Sequence, residues 1–368
     1  MAFERIGSIT FEAGEQYLYS AVIDVAAGFA YFGCYGLTAP IVKVRLSDFS
    51  RVGALLLAPY EGPLLSAVID VAAGFAYFGC YSSPATLVKI QLSDFSRVAA
   101  ITFATGVNYI RCAAIDVAAG FAYFGCLTTP GQVIKVRLSD FSLVSILSFE
   151  AGEHSILSAA IDPSSGFAYF GCGTSPGKIV KVRLSDFSRV GVLPLEAGED
   201  SPRASVIDIA SGFVYFGCYT NPGKVVKVKI SDFTRVGVLT FEAGESSPYS
   251  GVIDILAGLA YFGCGTTPGQ VIKVKLSDFS RDSAVVYESG ENYNLASVSD
   301  STPTYVYFGC YTNPGKVVKV KIGEAPPIPS QYLPEKHLIC GYNCFIKQYI
   351  DFTHLGLAPL KLPDGTVW

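Results

Sequence analysis

The sequence predicts an all-β chain folded as a seven-bladed β-propeller, four antiparallel strands per blade, with the ring closed by the N-terminal strand joining the last blade. Three observations predict it. One phrase recurs every 46 residues, in constant phase, from residue 3 to about residue 323. Each copy holds four short β-branched and aromatic runs divided by turn residues. The first and last copies are complementary fragments of the phrase, so the chain begins with a strand that its end lacks.

Taken in chain order, the segment Phe3–Phe11 lies one repeat before the fourth-strand segment that begins at Phe49, so it is a fourth strand without its first three. A complete copy then reads, from Ala204, Ala-Ser-Val-Ile-Asp, Gly-Phe-Val-Tyr-Phe-Gly-Cys-Tyr, Lys-Val-Val-Lys-Val-Lys-Ile, and Ser-Asp-Phe-Thr followed by Arg-Val-Gly-Val-Leu-Thr-Phe. Gly, Pro, Asn and Asp supply the turns between these runs. In the second strand of the first full copy, alternation sends Phe29, Tyr31, Gly33 and Tyr35 to one face and Ala30, Phe32 and Cys34 to the other, so both faces are apolar. Sheets of that kind bury themselves by stacking on neighbours, as propeller blades do. The glycine at Gly33 and its equivalents is expected to admit a neighbouring side chain close to the backbone. After Lys316–Ile322 the last copy meets Pro326, Pro327 and Pro329, which cannot make a hydrogen-bonded strand. The N-terminal strand must fill that place, which also removes an open sheet edge.

Several polar and reactive residues share the repeat and are read as structural. Seven of the ten cysteines, from Cys34 to Cys310, occupy one strand position and are expected to behave as small buried hydrophobes. The first strand ends in an aspartate in every copy, Asp24 through Asp300; seven carboxylates around a channel suggest a cation, but acceptance of backbone N–H groups in the following turn is the expected role. The lysine at Lys43 and its equivalents is expected to pair with a neighbouring carboxylate.

Phrases such as Ala-Val-Ile-Asp, Gly-Phe-Ala-Tyr-Phe-Gly-Cys-Tyr and Thr-Asn-Pro-Gly-Lys-Val-Val-Lys-Val resemble YVTN-type propeller repeats, over about 320 residues. The resemblance implies a propeller of the kind found in surface-layer and other extracellular proteins, with binding or adhesion as its use. Fold by itself does not specify function.

Among copies so alike, the differences carry information. The connection from the fourth strand to the next first strand keeps a common beginning in several copies, as in Glu12-Ala13-Gly14-Glu15 and Glu242-Ala243-Gly244-Glu245, and then diverges. These loops should cluster on one face around the axis, where a rigid scaffold presents binding residues. The candidates there are Tyr17, Tyr19, Tyr109, Arg111, His154, Arg203, Tyr249 and Tyr293, residue types that suit an amphipathic contact surface.

Composition and motifs exclude several function classes. With 50% hydrophobic and 16% charged residues the chain has ample core material, and a net charge of −4 with the two signs interspersed gives no footprint for nucleic acid. No run of about 18 apolar residues suggests a transmembrane segment, and the N-terminus lacks a signal-peptide pattern. That lack points to the cytoplasm, whereas the resemblance points to a cell surface. Catalytic motifs are missing: three histidines, no Ser-His-Asp order, no phosphate-binding glycine loop. No enzyme activity and no cofactor are expected.

The chain therefore divides into a propeller, 1–323, and a proline-rich C-terminal extension, 324–368. The extension's aromatic and aliphatic content, including Tyr342, Phe345, Tyr349 and Trp368, suggests a segment that docks on its own propeller or on a partner. His337, Cys340, Cys344 and His354 are zinc-ligand types at a spacing only loosely like that of tetrahedral sites, and a Cys340–Cys344 disulfide is the other alternative to ordinary packing, the expected reading. The functional expectation is a structural or protein-interaction propeller that joins a protein partner or copies of itself through the loop face and the extension. The alternative is a lectin-like propeller whose loop aromatics stack on a glycan or small ligand.

Overall fold

The computed structural model describes residues 3–36, 39–300 and 304–323. It is a ring of seven four-stranded antiparallel sheets. Blade 1 runs outward through Ser20–Asp24, Phe29–Gly33, Ile41–Arg45 and Ser50–Leu55. Blades 2 to 6 repeat that order, with innermost strands Leu64–Asp70, Ile110–Asp116, Ile156–Asp162, Pro202–Asp208 and Pro248–Asp254. Blade 7 takes Asn294–Ser299, Tyr305–Cys310 and Lys316–Lys321 from the end of the repeat and its outer strand, Glu4–Thr10, from the start of the chain. Glu4 pairs with Lys321 and Thr10 with Lys316. Each innermost strand contacts the next, and the first contacts the last, so the ring closes around an axial channel.

Both faces of each second strand are buried, as the alternation predicts: Tyr31 and Phe32, on opposite faces, are each inaccessible to solvent or nearly so, as are their equivalents in every blade. The recurring glycine meets the next blade. A Cβ on Gly217 would lie 2.7 Å from the Cβ of Pro248 and 3.1 Å from that of Ala204. The seven strand cysteines are buried, and burial pushes the thiols of Cys126 and Cys172 up to about 12, so they stay protonated and inert.

Two further contacts, repeated around the ring, lock blade to blade. The phenylalanine of each Ser-Asp-Phe-Ser or Ser-Asp-Phe-Thr turn has a left-handed backbone, φ 50° at Phe49 and 52° at Phe95, and its ring packs on the buried tyrosine of the preceding blade. Beneath that pair lies the recurring lysine. Lys89 Nζ is 3.7 Å from the Phe75 ring centre and 5.7 Å from those of Tyr77 and Phe141. Cross-strand pairing sets Lys89 opposite Tyr77 and the next blade adds Phe141, so the lysine lies in an aromatic box, while the neighbouring carboxylate, Asp70, acts on it through its charge without a direct ion pair. Blade 6 is the exception that explains the rule. Leu259 stands where the other blades have an aromatic ring, and Lys273 instead reaches Asp282 at 3.3 Å. Phe3, from the N-terminal strand, completes that box 5.6 Å from Lys273 and 5.6 Å from the Tyr261 ring.

The second contact is a glutamate in the loop that enters a blade, held by an arginine on that blade's outer strand. Glu153 accepts from Arg189 at 2.5 and 2.9 Å, and the same pair recurs as Glu15–Arg51, Glu61–Arg97, Glu199–Arg235, Glu245–Arg281 and, through the N-terminal strand, Glu291–Arg5. Only the third blade departs. There both partners are apolar, Val107 and Leu143, so the pair has been exchanged as a unit.

The seven aspartates occupy the turn role. Asp24 Oδ1 accepts the N–H of Ala27 at 2.9 Å, and the others do the same three or four residues on. Asp300 differs in degree: burial pushes its carboxyl up to about 6 against the bonds from Tyr305 and Thr304 that favour its ionised form. The folded chain then keeps a proton that the unfolded chain releases above pH 3.8, so this stabilising contribution is complete below 3.8 and is lost as pH rises through about 6. Because Glu61, Glu153 and Glu291 are held below their ordinary value and slope the other way at the acid end, the contribution is read by difference: between about pH 4 and 7 the urea midpoint of the parent chain is expected to fall relative to that of Asp300→Asn. An unchanged slope in the variant would assign the effect elsewhere.

Among the described residues the last paired position is Lys321. Tyr342, Phe345, Tyr349 and Trp368, and the residues His337, Cys340, Cys344 and His354, lie outside the described residues.

Candidate binding site at the channel mouth

The variable loops converge, as expected, at one end of the axis. Each crosses from an outer strand to the next innermost strand and is pinned by main-chain bonds to the preceding blade: Tyr17 N–H donates to Thr312 O at 2.9 Å and Leu18 N–H to Cys310 O at 3.1 Å. Tyr17, Tyr109 and Tyr293 have left-handed backbones with φ of 51, 61 and 51°, but so do Ser155, Ser201 and Ser247 at the equivalent place, so this conformation belongs to the loop and not to tyrosine.

The loops deliver one side chain per blade to the rim of the channel. In chain order, at 46-residue intervals, these are Tyr19, Leu65, Arg111, Leu157, Arg203, Tyr249 and Leu295. Just inside them the next position facing the axis holds only small residues, Ala21, Ala67, Ala113, Ala159, Ser205, Gly251 and Ser297, around a channel of 170 Å³. Above the rim opens a cavity of 440 Å³, to which Tyr35, Tyr81, Leu127, Tyr293 and Tyr311 add a second tier.

The aromatic rings of this mouth pack in clusters around the rim. Tyr17 stacks on Tyr311 at 4.3 Å between ring centres, and Tyr19 touches both Tyr35 at 5.4 Å and Tyr311 at 5.7 Å. Tyr81 stacks on Tyr109 at 4.6 Å. The Arg203 guanidinium sits 4.2 Å from the Tyr219 ring centre and 5.0 Å from that of Tyr249, and Arg111 lies 5.7 Å from Tyr19. Gly265 makes this possible, since an added Cβ would overlap the Tyr249 ring and come within 3.3 Å of Tyr293. Gly265→Ala is expected to push Tyr249 off Arg203 while shifting Tm by only about 4 °C or less. Ring-proton shifts of Tyr249 in tyrosine-labelled protein read this directly, and unmoved resonances would refute it.

Of the residues anticipated from the loops, Tyr19, Arg111, Arg203, Tyr249 and Tyr293 line the cavity, while Tyr17 and Tyr109 stack behind lining rings. His154 does not line it; its ring contacts Ser155 Oγ at 3.3 Å. Loop reasoning missed Tyr35, Tyr81 and Tyr311. They follow the strand cysteines, and the signal that finds them is variation at that single repeat position, which reads Tyr35, Tyr81, Leu127, Gly173, Tyr219, Gly265, Tyr311.

Burial raises the phenols of Tyr19 and Tyr249, the latter to about 12, so both remain hydrogen-bond donors at neutral pH. Among the described residues no carboxylate or histidine lines the cavity.

Among the described residues no helix is long and apolar enough to cross a membrane. No family model matches the chain, and no curated protein does. Solved structures do. The structure of U3-55K superposes with a TM-score of 0.70 at 10% identity, over 87% of this chain and 100% of that one. The crystal structure of the RRP9 WD40 repeats gives 0.69 at 10% identity, over 87% and 99%. At that identity the likeness shows the propeller fold alone.

Proposed function

We propose that this protein is a non-enzymatic interaction module that holds a protein partner on its tyrosine-lined channel mouth. One observation carries the reading: the copies preserve their blade-to-blade contacts while the side chains that differ between copies gather around one cavity. Aromatic residues with arginine are the side chains enriched at protein interfaces, and rigid loops present them at low entropic cost. The superposed WD40 propeller supports the reading only in that it has the same architecture. The YVTN-like phrasing of the repeat is compatible with it, as a resemblance.

The test is comparative capture of partners by the full chain, by a Tyr19→Ser/Tyr249→Ser double variant, and by a control altered at the opposite end of the axis, such as Arg183→Ser. A partner retained by the wild type and the control but lost from the mouth variant supports the proposal. Identical retention by all three removes the mouth as the contact surface.

A further inference from the structure

We propose that Arg111 and Arg203 form an anion-binding subsite in the channel mouth, which takes a carboxylate from an acidic and aromatic segment of the partner protein. The inference rests on the mouth being an interaction face and adds the chemistry that the partner must bring.

The two arginines stand apart from the other charges of the repeat. The glutamate-bound arginines, such as Arg189 and Arg235, each hold a buried carboxylate at 2.5 Å, whereas neither Arg111 nor Arg203 forms an ion pair among the described residues. Arg203 Nε is sealed from solvent and has no hydrogen-bond acceptor. The aromatic contacts described above hold the Arg203 guanidinium beside two rings, and the unsatisfied Nε gives it a donor for a ligand. Both residues occupy the same rim position, two blades apart, and so project toward the same axis. The two are close enough for charge to act across the mouth: burial first, and then the Arg203 charge, lower the pKa of Arg111.

Two half-buried like charges in one cavity with no counter-charge among the described residues are unfavourable, in a chain whose overall charge is −4. Other blades place leucine or tyrosine at the same position without disturbing the fold, so the arginines are not needed for ring closure. An oxyanion between them would relieve the repulsion and satisfy the free Arg203 donor. A planar guanidinium fork matches a carboxylate, and the surroundings favour one carried on a peptide over free phosphate. Leu65, Leu127 and Leu295 and the tyrosine rings offer an apolar wall to the residues flanking the acid.

The test is calorimetric titration of the full chain with three probes: a short acetylated, amidated peptide of alternating glutamate and phenylalanine, its glutamine counterpart, and inorganic phosphate. The glutamate peptide is expected to bind, to weaken about tenfold or more in Arg111→Gln or Arg203→Gln, and to weaken with added salt. Arg203→Lys keeps the charge but not the fork and is expected to fall between. Removal of an unpaired half-buried charge is expected to leave Tm equal or higher, which a structural role would not do. The proposal is overturned if the glutamine peptide binds equally well, if the double glutamine variant binds the acidic peptide unchanged, if phosphate displaces the peptide at similar concentration, or if the variants melt markedly lower. Full retention of a captured partner by the arginine double variant, alongside its loss from Tyr19→Ser/Tyr249→Ser, would overturn the anion subsite alone. Retention by both would overturn the interaction face as well.

Discussion

A chain lacking residues 1–10 is expected to lose the closed ring, with Tm falling by about 10 °C or more or with self-association of the opened molecule. Three independent losses combine. The strand Lys316–Lys321 loses its partner along its whole length and becomes a bare edge. Buried Glu291 loses Arg5, which holds it at 2.6 and 2.8 Å, and an unpaired buried carboxylate is among the costlier defects a fold can carry. The Tyr261 box loses Phe3. Thermal melts and light scattering of the shortened chain read the outcome, and a peptide spanning residues 1–10 added in trans should restore part of the stability by strand addition. A monomer with unchanged Tm would show that the ring holds without its clasp.

The second large effect concerns the blade that departs from the rule. Val107→Glu is expected to cost about 3 kcal/mol, because the carboxylate enters a site only 5% exposed with Leu143 where its arginine should be. Leu143→Arg alone is expected to change stability by about 0.5 kcal/mol or less, since Leu143 is 43% exposed. The double variant recreates the pair of the other six blades and should recover most of the loss. Urea denaturation of the four proteins gives the coupling energy as a double-mutant cycle. Additive effects would mean that the glutamate–arginine contacts are incidental to ring stability, and the reading of them as blade-to-blade locks would fall.

Much of the architecture was legible without coordinates, and the reason is repetition. Forty-six residues in constant phase leave one supersecondary unit to be explained, and a unit apolar on both faces has few ways to bury itself. The complementary defects at Phe3–Phe11 and Pro326–Pro329 told how the ring closes. The aspartate turns and buried cysteines followed from ordinary local chemistry. The aromatic box around the lysine was not legible because Phe75, Tyr77 and Phe141 come from an adjacent strand and an adjacent blade, and pairing across 52 residues leaves no local pattern.

The candidate site divides along the same line. Divergent loops after a Glu-Ala-Gly-Glu beginning that several copies share directed attention to Tyr19, Arg111, Arg203 and Tyr249, since residues that differ between otherwise matched copies are free of the packing that fixes the rest. That inference needed only the phase of the repeat. The second tier, Tyr35, Tyr81 and Tyr311, lies in a segment that reads as the end of a strand, and only the superposition of seven blades brings those rings over the axis beside the loops. The same holds for charge. By sequence, Arg111 and Arg203 are two among 27 basic residues. Whether an arginine meets a carboxylate depends on distances set by ring closure, and that closure pairs Arg51, Arg97, Arg189, Arg235, Arg281 and Arg5 with glutamates while it leaves these two on one rim without an ion pair among the described residues. The sequence by itself determined the blade, the number of blades and the clasp, because these follow from local periodicity. Only the tertiary structure decided which side chains share a cavity and which charges stay unpaired, because both are properties of seven blades brought around one axis.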